Sequence, residues 1–295
     1  MEAKTNKDSV KILISETIHA PVSALELTAI SGGSINDTFK VNIKGGKPVF
    51  AKVNTIAGFP YLLEKERNGL EFLSKQNVIT VPEIIGYGKN LHYQLLVLEW
   101  IEEGDKTQSF WKTFGEQLAG LHKINNPHSG FYEDNYMGAL PQSNTVSKSW
   151  IDFFIGNRLQ PQVELASRNG FFSPTHISAF DKLSKKLDNI FDKEKPSLLH
   201  GDLWSGNVMS NANNQPVLID TAVYFGNRSM DLAMTTLFGG FDKFFYDSYN
   251  YHFPFSYNYQ DQWKVCNLYP LLIHLNLFGT GYLQNIESIL KKFTA

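Results

Sequence analysis

Apolar positions up to Ile101 alternate with polar ones in short runs, which predicts a small sheet. The predicted strands lie at Phe39, Val41 and Ile43 behind a Gly-Gly turn, and at residues 48–54, 81–88 and 93–101. Apolar residues at helical spacing over 60–73 predict one helix in the same region. Residues 11–18 fit either a short helix or a mobile lead-in.

Helical spacing dominates the chain after residue 101. Phe114, Leu118 and Leu121 follow an i, i+4, i+7 pattern. Further helices are predicted at 150–159, 180–190 and 267–279, whereas the polar, Gly- and Pro-containing stretch 127–147 is predicted to be a loop. The pattern therefore predicts an α+β protein with a small sheet in its first part and a mainly helical second part.

One polar loop interrupts the helical part. An apolar run stops at His200, Asp202 and Asn207 follow, and a second apolar run ends at Asp220. We expect two paired strands to bracket this loop and to direct the three polar side chains to one point. Kinase-type phosphoryl transfer needs this set, because one Asp accepts a hydroxyl proton while an Asn and an Asp hold Mg²⁺. The alternative is a hairpin whose Asp and Asn only stabilise turns.

Lys52 lies inside a short apolar strand, where a lysine is costly unless its ammonium group finds anions. Phosphates and a glutamate would satisfy it; a strand-edge lysine that reaches water is the alternative. Glu64 and Glu66 on the following helix point about 200° apart, so only one can face Lys52. We choose Glu66, which shares a side with the apolar residues Leu63, Leu70 and Leu73, and keep Glu64 as the fallback.

Gly32, Gly33 and Ser34 precede the first clear strand. Without a Cβ atom, glycines let backbone N–H groups approach phosphate oxygens closely. An ordinary hairpin turn is the competing interpretation. The position of this turn upstream of Lys52 favours phosphate binding.

Composition excludes several classes of protein. The 295 residues suffice for one large domain or two lobes, and a net charge of −2 gives no reason to expect nucleic acid or a membrane surface as a partner. The single cysteine, Cys266, excludes an intramolecular disulfide and is expected to be buried. We find neither a secretory signal nor an apolar run long enough to span a membrane, so we expect a cytoplasmic protein. Its oligomeric state stays open, with a monomer favoured.

Residues 199–209 read Leu-His-Gly-Asp-Leu-Trp-Ser-Gly-Asn-Val-Met. This phrase resembles the catalytic loop of the fructosamine-3-kinase (ketosamine kinase) family, which is related to aminoglycoside and choline kinases. The Trp-Ser-Gly that precedes Asn207 is typical of the ketosamine branch. The resemblance implies a protein-kinase-like two-lobed fold, with an N-lobe of antiparallel sheet at 1–101 and a mainly helical C-lobe at 102–295.

The resemblance also implies a role for each candidate residue. Asp202 would be the catalytic base, Lys52 paired with Glu66 would grip the ATP phosphates beside Gly32, Gly33 and Ser34, and Asn207 and Asp220 would hold Mg²⁺. Adenine would bond to the backbone of Glu99 and Ile101 at the hinge, and Trp204 and His274 would contact the sugar. The implied substrate is a small or protein-bound ketosamine, phosphorylated on its 3-hydroxyl in a deglycation repair reaction.

The chain departs from the family pattern after Asp220. Thr221, Asn227 and Ser229 stand where Pro, Asp and Glu are usual, which puts in doubt the stiffness of this segment and any substrate contact made through it. Asp231 resembles the aspartate that kinase-like folds bond to the catalytic-loop backbone. Two other functions stay open: a kinase for another amine-bearing alcohol, such as an aminoglycoside or choline, and a non-catalytic nucleotide-binding module.

Overall fold

A computed structural model describes residues 6–30 and 35–294. These residues form two compact units, each with its own core. The first unit comprises the described residues up to 105 together with 209–219, and the second comprises 106–208 and 220–294. None of the helices in the described ranges is long and apolar enough to cross a membrane.

The first unit is built on a five-stranded antiparallel sheet in the order β1-β2-β3-β5-β4. Its strands are β1 (Leu25–Ile30), β2 (Asp37–Ile43), β3 (Val49–Thr55), β4 (Ile84–Lys89) and β5 (Tyr93–Glu99). Its helices are α1 (Lys7–Thr17) and α2 (Leu62–Ser74). The predicted strands and the α2 helix are confirmed, and residues 11–18 belong largely to a helix.

Burial explains this arrangement. Helix α1 contributes Val10, Leu13 and Ile14 to one buried cluster with apolar residues of the sheet, and the Asn6 side chain caps its first turn. Strand β3 is buried over nearly its whole length, as expected for a central strand. The side chain of Lys52 therefore starts from the interior of the unit.

The second unit is mainly helical. Its helices are α3 (Gln108–His122), α4 (Trp150–Phe154), α5 (Gln160–Arg168), α6 (Pro174–Ser184), α7 (Leu187–Ile190), α8 (Ser229–Met234), α9 (Lys243–His252), α10 (Tyr259–Cys266), α11 (Leu268–Phe278) and α12 (Leu283–Thr294). A π-helical turn at Ile155–Leu159 joins α4 to α5. Cys266 is buried, as expected. Helices α3 and α9 pack closely at Gly115, where a Cβ atom would lie 2.4 Å from the carbonyl oxygen of Phe245.

Two details of this unit differ from the prediction. The stretch 127–147 contains a short hairpin of β6 (Asn135–Met137) and β7 (Leu140–Gln142), which the polar composition concealed. The helix predicted at 180–190 starts earlier, at Pro174, because Ser173 and His176 form a capping box there, and it breaks into α6 and α7.

The strands on either side of the polar loop do not pair with each other, so that prediction is wrong. Strand β8 (Ser197–Leu199), before His200, pairs with β11 (Tyr224–Gly226). Strands β9 (Val208–Ser210) and β10 (Pro216–Leu218) form their own two-stranded sheet. Strand β10 thus pairs with the nearer strand β9, whereas β8 pairs with β11, which lies farther along the chain than β10.

Candidate active site

Asp231, on α8, fixes the backbone at the start of the polar loop. Its Oδ2 accepts a hydrogen bond from the N–H of His200 at 2.7 Å, and its Oδ1 accepts one from the N–H of Gly201 at 2.9 Å. Gly201 has φ +88° and a Cβ there would lie 2.0 Å from the carbonyl oxygen of Ala222, so only glycine fits. The expected structural role of Asp231 is confirmed.

His122 and Tyr249 lie behind Asp231 in a buried chain of hydrogen bonds. His122 Nε2 is 3.2 Å from Asp231 Oδ2, and Nδ1 is 2.9 Å from the hydroxyl of Tyr249. Burial lowers the pKa of His122, so the ring is neutral near pH 7. Because the carboxylate accepts, Nε2 carries the proton and Nδ1 accepts from Tyr249. Sequence analysis placed His122 at a helix end and missed this contact; its place beside the buried face of α3 was the available signal.

The three polar residues of the loop are brought together within the second unit. The Nδ2 group of Asn207 donates to the carbonyl oxygen of Asp202 at 2.8 Å and to its Oδ2 at 3.1 Å. The same group lies 3.5 Å from the carbonyl oxygen of Asp220. Asp220 has φ +56°, a left-handed conformation that aspartate adopts more readily than most residues.

Asp202 titrates in the neutral range. Burial chiefly, and then the negative charge of Asp220, raise its pKa from 3.8 to about 7, against the opposing effect of the hydrogen bond from Asn207. Part of the residue still reaches solvent. A carboxylate of this pKa can both take and hold a proton near neutral pH, as a general base must.

The oxygen ligands that Asn207 and Asp220 offer fit a cation that also binds phosphate. Both amide hydrogen bonds of Asn207 to Asp202 use Nδ2, so its Oδ1 remains as the oxygen that can meet a cation. Across residues 6–30 and 35–294, no group of three or more His, Cys, Asp or Glu side chains is arranged to hold a metal alone. Mg²⁺ is commonly held by one or two carboxylates together with substrate phosphates and water.

Lys52 and Glu66 form a buried ion pair in the first unit. The Nζ–Oε1 distance is 2.7 Å, and Lys52 is 3% exposed. Glu64 instead accepts a hydrogen bond from the hydroxyl of Tyr87 at 3.3 Å. The choice of Glu66 as the partner of Lys52 is confirmed, whereas the role of this pair toward ATP stays a prediction.

The remaining nucleotide-binding predictions concern backbone groups. The N–H of Glu99 donates to the carbonyl of Glu83 at 2.9 Å, and the Glu99 side chain accepts from the N–H of Glu83 at 3.0 Å. Ile101 follows two residues beyond the end of β5 and is half-buried. Gly32, Gly33 and Ser34 lie outside the described residues, so their predicted role is carried forward unchanged.

Trp204 and His274, the predicted sugar contacts, both pack against one further ring, that of Phe238. The ring of Phe238 is 6.1 Å from that of Trp204, edge to face, and 4.6 Å from that of His274. Phe238 is 37% exposed and has φ +52°. The His274 Nδ1–H donates to the carbonyl of Pro270 at 2.7 Å, and burial lowers the pKa of the ring. Sequence analysis missed Phe238 because it lies in a stretch crowded with aromatic residues.

The departures from the family pattern form internal contacts. Asn227 Oδ1 accepts from the N–H of Ser229 at 2.9 Å, and the Ser229 hydroxyl donates to Gln262 at 2.8 Å. Thr221, Asn227 and Ser229 are all buried. Asn227 and Ser229 thus form hydrogen bonds through neutral side chains at positions where the family pattern has acidic residues.

The first unit has a five-stranded antiparallel sheet with a buried Lys–Glu pair, and the helical second unit has a loop that carries Asp202 and is held by Asp231. These features define the protein-kinase-like class of phosphotransferases. An amicoumacin kinase, solved with AMP-PNP and Ca²⁺, has this fold with a TM-score of 0.58 at 13% identity, covering 98% of this chain and 93% of its own. Within the class, the fructosamine kinase family matches residues 6–295, and the chain belongs to that family.

Individual relatives agree with this assignment. A Synechocystis sp. protein that carries the name ketoamine kinase is 37% identical over 280 residues, 95% of this chain and 94% of the relative. The Arabidopsis thaliana chloroplastic protein-ribulosamine 3-kinase is 33% identical over 95% of this chain and 87% of its own. A Thermobifida fusca crystal structure that carries the name fructosamine-3-kinase superposes with a TM-score of 0.87 at 28% identity, covering 96% of this chain and 98% of its own.

Proposed function

We propose that this chain is an ATP- and Mg²⁺-dependent kinase that phosphorylates the 3-hydroxyl of a ketosamine sugar. The observation that carries the proposal is the grouping of Asp202, Asn207 and Asp220 in a chain of the fructosamine kinase family. The names of two relatives, ketoamine kinase and ribulosamine 3-kinase, support the substrate class. A 3-phosphate of this kind is unstable and sheds the sugar, so the reaction would free a glycated amine.

Asp202 aligns the sugar hydroxyl and accepts its proton. Its raised pKa, about 7, makes the carboxylate a better proton acceptor than an ordinary aspartate while leaving much of it ionised near neutral pH. Asn207 and the Asp231 anchor hold the loop that carries it. Because the transition state of phosphoryl transfer is loose, this positioning contributes more than the strength of the base.

Lys52 binds the α- and β-phosphates of ATP, and Glu66 keeps its ammonium group in place. Asn207 and Asp220 would hold Mg²⁺, which when bound neutralises charge on the phosphates. The Glu99 carbonyl and the Ile101 N–H bond to the edge of adenine. The backbone of Gly32, Gly33 and Ser34 contributes further N–H groups to the phosphates.

Trp204, Phe238 and His274 form the contact surface for the sugar. Aromatic rings pack against the apolar faces of sugars, and the Trp204 and Phe238 rings meet edge to face. Since Nδ1 of His274 donates to Pro270, the neutral ring presents Nε2 as an acceptor for a sugar hydroxyl. This surface distinguishes a polyhydroxylated substrate from a simple amino alcohol.

The test is a substrate panel with a matched pair of variants. We expect ATP consumption with ribulose-lysine or fructose-lysine, and none with choline or kanamycin. Asp202→Ala should lower kcat by about a thousandfold while Mg-ATP still raises the melting temperature. Asp188→Ala, which removes an exposed carboxylate, should keep full activity.

Three outcomes would contradict the proposal. Turnover of choline or kanamycin without turnover of either ketosamine would assign the chain to another amine-bearing alcohol. Full turnover by Asp202→Ala would overturn the assignment of the base. A melting temperature that Mg-ATP does not change in the wild-type protein would favour a non-catalytic module.

A further inference from the structure

The segment 221–223 follows the proposed metal ligand, Asp220, and lacks a proline that would fix its backbone. Asp220 sits at φ +56°, and Thr221 is buried. The N–H of Ala222 donates to the carbonyl of His200 at 2.9 Å. The N–H of Ala222 thus ties this segment to the catalytic loop. The carbonyl groups of the segment are buried acceptors and need hydrogen-bond donors from elsewhere.

The β6–β7 hairpin supplies those donors. Asn135 Nδ2 donates to the carbonyl of Val223 at 2.9 Å, and Gln142 Nε2 lies 3.4 Å from the carbonyl of Ala222. Gln142 Nε2 also donates to Asn135 Oδ1 at 2.7 Å. The hydroxyl of Tyr269, on α11, donates to Gln142 Oε1 at 2.8 Å.

The direction of every bond in this chain is determined. A backbone carbonyl can only accept, so Asn135 must present Nδ2 to Val223 and Oδ1 to Gln142. Gln142 must then present Nε2 to Asn135, which leaves its Oε1 for the hydroxyl of Tyr269. Gln142 is 1% exposed, Asn135 8% and Tyr269 2%, so water does not compete for these groups. Buried networks of this kind fix one geometry when every member is satisfied.

Arg158 binds the chain just beyond Gln142, at the same end of the hairpin. Its Nη1 donates to the carbonyl of Ser143 at 2.6 Å, and its Nη2 donates to Asn144 Oδ1 at 2.7 Å. Both acceptors directly follow Gln142 in the chain. The hairpin is therefore a fixed support rather than a surface loop.

We propose that Asn135, Gln142 and Tyr269 are positioning residues that hold the backbone of residues 222–223 and thereby aim the carboxylate of Asp220 at the divalent cation. The inference rests on the proposed function, in which Asp220 holds that cation. None of the three residues touches the cation or the substrate in this account. They act through two backbone carbonyls, replacing the stiffness that a proline would give.

The experiment measures metal binding directly. Mn²⁺ is titrated into the protein with saturating ADP and followed by electron paramagnetic resonance, for the wild type, Tyr269→Phe, Gln142→Met and the control Tyr246→Phe. Tyr246 also has a hydrogen-bonded hydroxyl in the second unit, bonded to Thr235 instead. Loss of a group that orients a metal ligand typically costs about 10- to 100-fold in affinity.

We expect the Kd for Mn²⁺ to rise about threefold to tenfold in Tyr269→Phe and about tenfold or more in Gln142→Met, with no change in Tyr246→Phe. The Mg²⁺ concentration for half-maximal activity should rise in parallel. A lower melting temperature with an unchanged Kd in Tyr269→Phe would overturn the proposal, because a purely structural role predicts that result. So would a wild-type protein that binds no Mn²⁺ with ADP.

Tyr269→Phe decides the question if Gln142→Met does not fold. Metal binding with ADP requires no ketosamine, so this comparison is independent of the substrate. Absence of ketosamine phosphorylation in the wild type, with metal binding intact, would refute only the substrate of the proposed function.

Discussion

Asp202→Asn should stabilise the metal-free protein, and the gain should depend on pH. The substitution keeps the shape of the side chain and removes its charge. Burial and the charge of Asp220 raise the pKa of Asp202 from 3.8 to about 7, so the folded protein holds a proton that the unfolded chain releases at much lower pH. Folding therefore becomes costlier as the pH rises from about 4 to about 7, and the cost is constant above that.

The structure sets the size of this effect. One pKa unit corresponds to about 1.4 kcal/mol. The raised pKa of Asp202 therefore lowers the free energy of unfolding by at most about 4 kcal/mol above pH 7 and by about 1.6 kcal/mol at pH 5. Because part of the residue reaches solvent, water screens the carboxylate and these figures are upper limits. The increase in the free energy of unfolding caused by Asp202→Asn should therefore be up to about 2.5 kcal/mol larger at pH 8 than at pH 5.

Urea unfolding in EDTA, without nucleotide, at pH 5, 6, 7 and 8 measures the gain. Asp188→Asn is the control, because the carboxylate of Asp188 is exposed. The difference in the free energy of unfolding between Asp202→Asn and the wild type should widen from pH 5 to pH 7 and then stay level. A difference that is constant, or that narrows as the pH rises, would refute the reasoning about the buried carboxylate.

Three further substitutions, one of them with a matched control, test the other groups. Glu66→Ala should lower the free energy of unfolding by about 3 kcal/mol in urea titrations, because it strands the buried ammonium of Lys52, whereas Glu64→Ala should cost less than about 1 kcal/mol. Trp204→Ala should raise KM for the ketosamine about tenfold in steady-state assays and leave KM for ATP within about twofold. Asp231→Asn should lower kcat about tenfold to a hundredfold and cost about 1–3 kcal/mol of stability, because an amide cannot accept both backbone N–H groups; unchanged values would contradict the anchor.

The sequence predicted most of what is local. Strand alternation and the α2 helix follow from periodicity. The pairing of Lys52 with Glu66 follows from the cost of burying a lone charge and the apolar side of α2, together with a resemblance to aminoglycoside kinases. The Asp231 anchor followed from resemblance alone.

Contacts between distant segments could not be predicted in this way. Asn135 and Gln142 lie in a polar stretch that composition marks as a loop, and only the folded hairpin shows that their amides are buried against residues 222–223. The pairing of β8 with β11 was missed because several short apolar runs in this region have the same pattern, and the pattern alone does not say which two of them pair. Phe238 was hidden because one aromatic residue among many carries no distinguishing periodicity.

The most direct test of the central claim is to locate the transferred phosphate. The protein is incubated with Mg-ATP and fructose-lysine or ribulose-lysine, and the product is followed by proton–phosphorus correlation NMR. The account predicts a phosphate coupled to the proton on C3 of the sugar, followed by the appearance of free lysine. A phosphate on any other hydroxyl, or no transfer from bound ATP to either ketosamine, would contradict it.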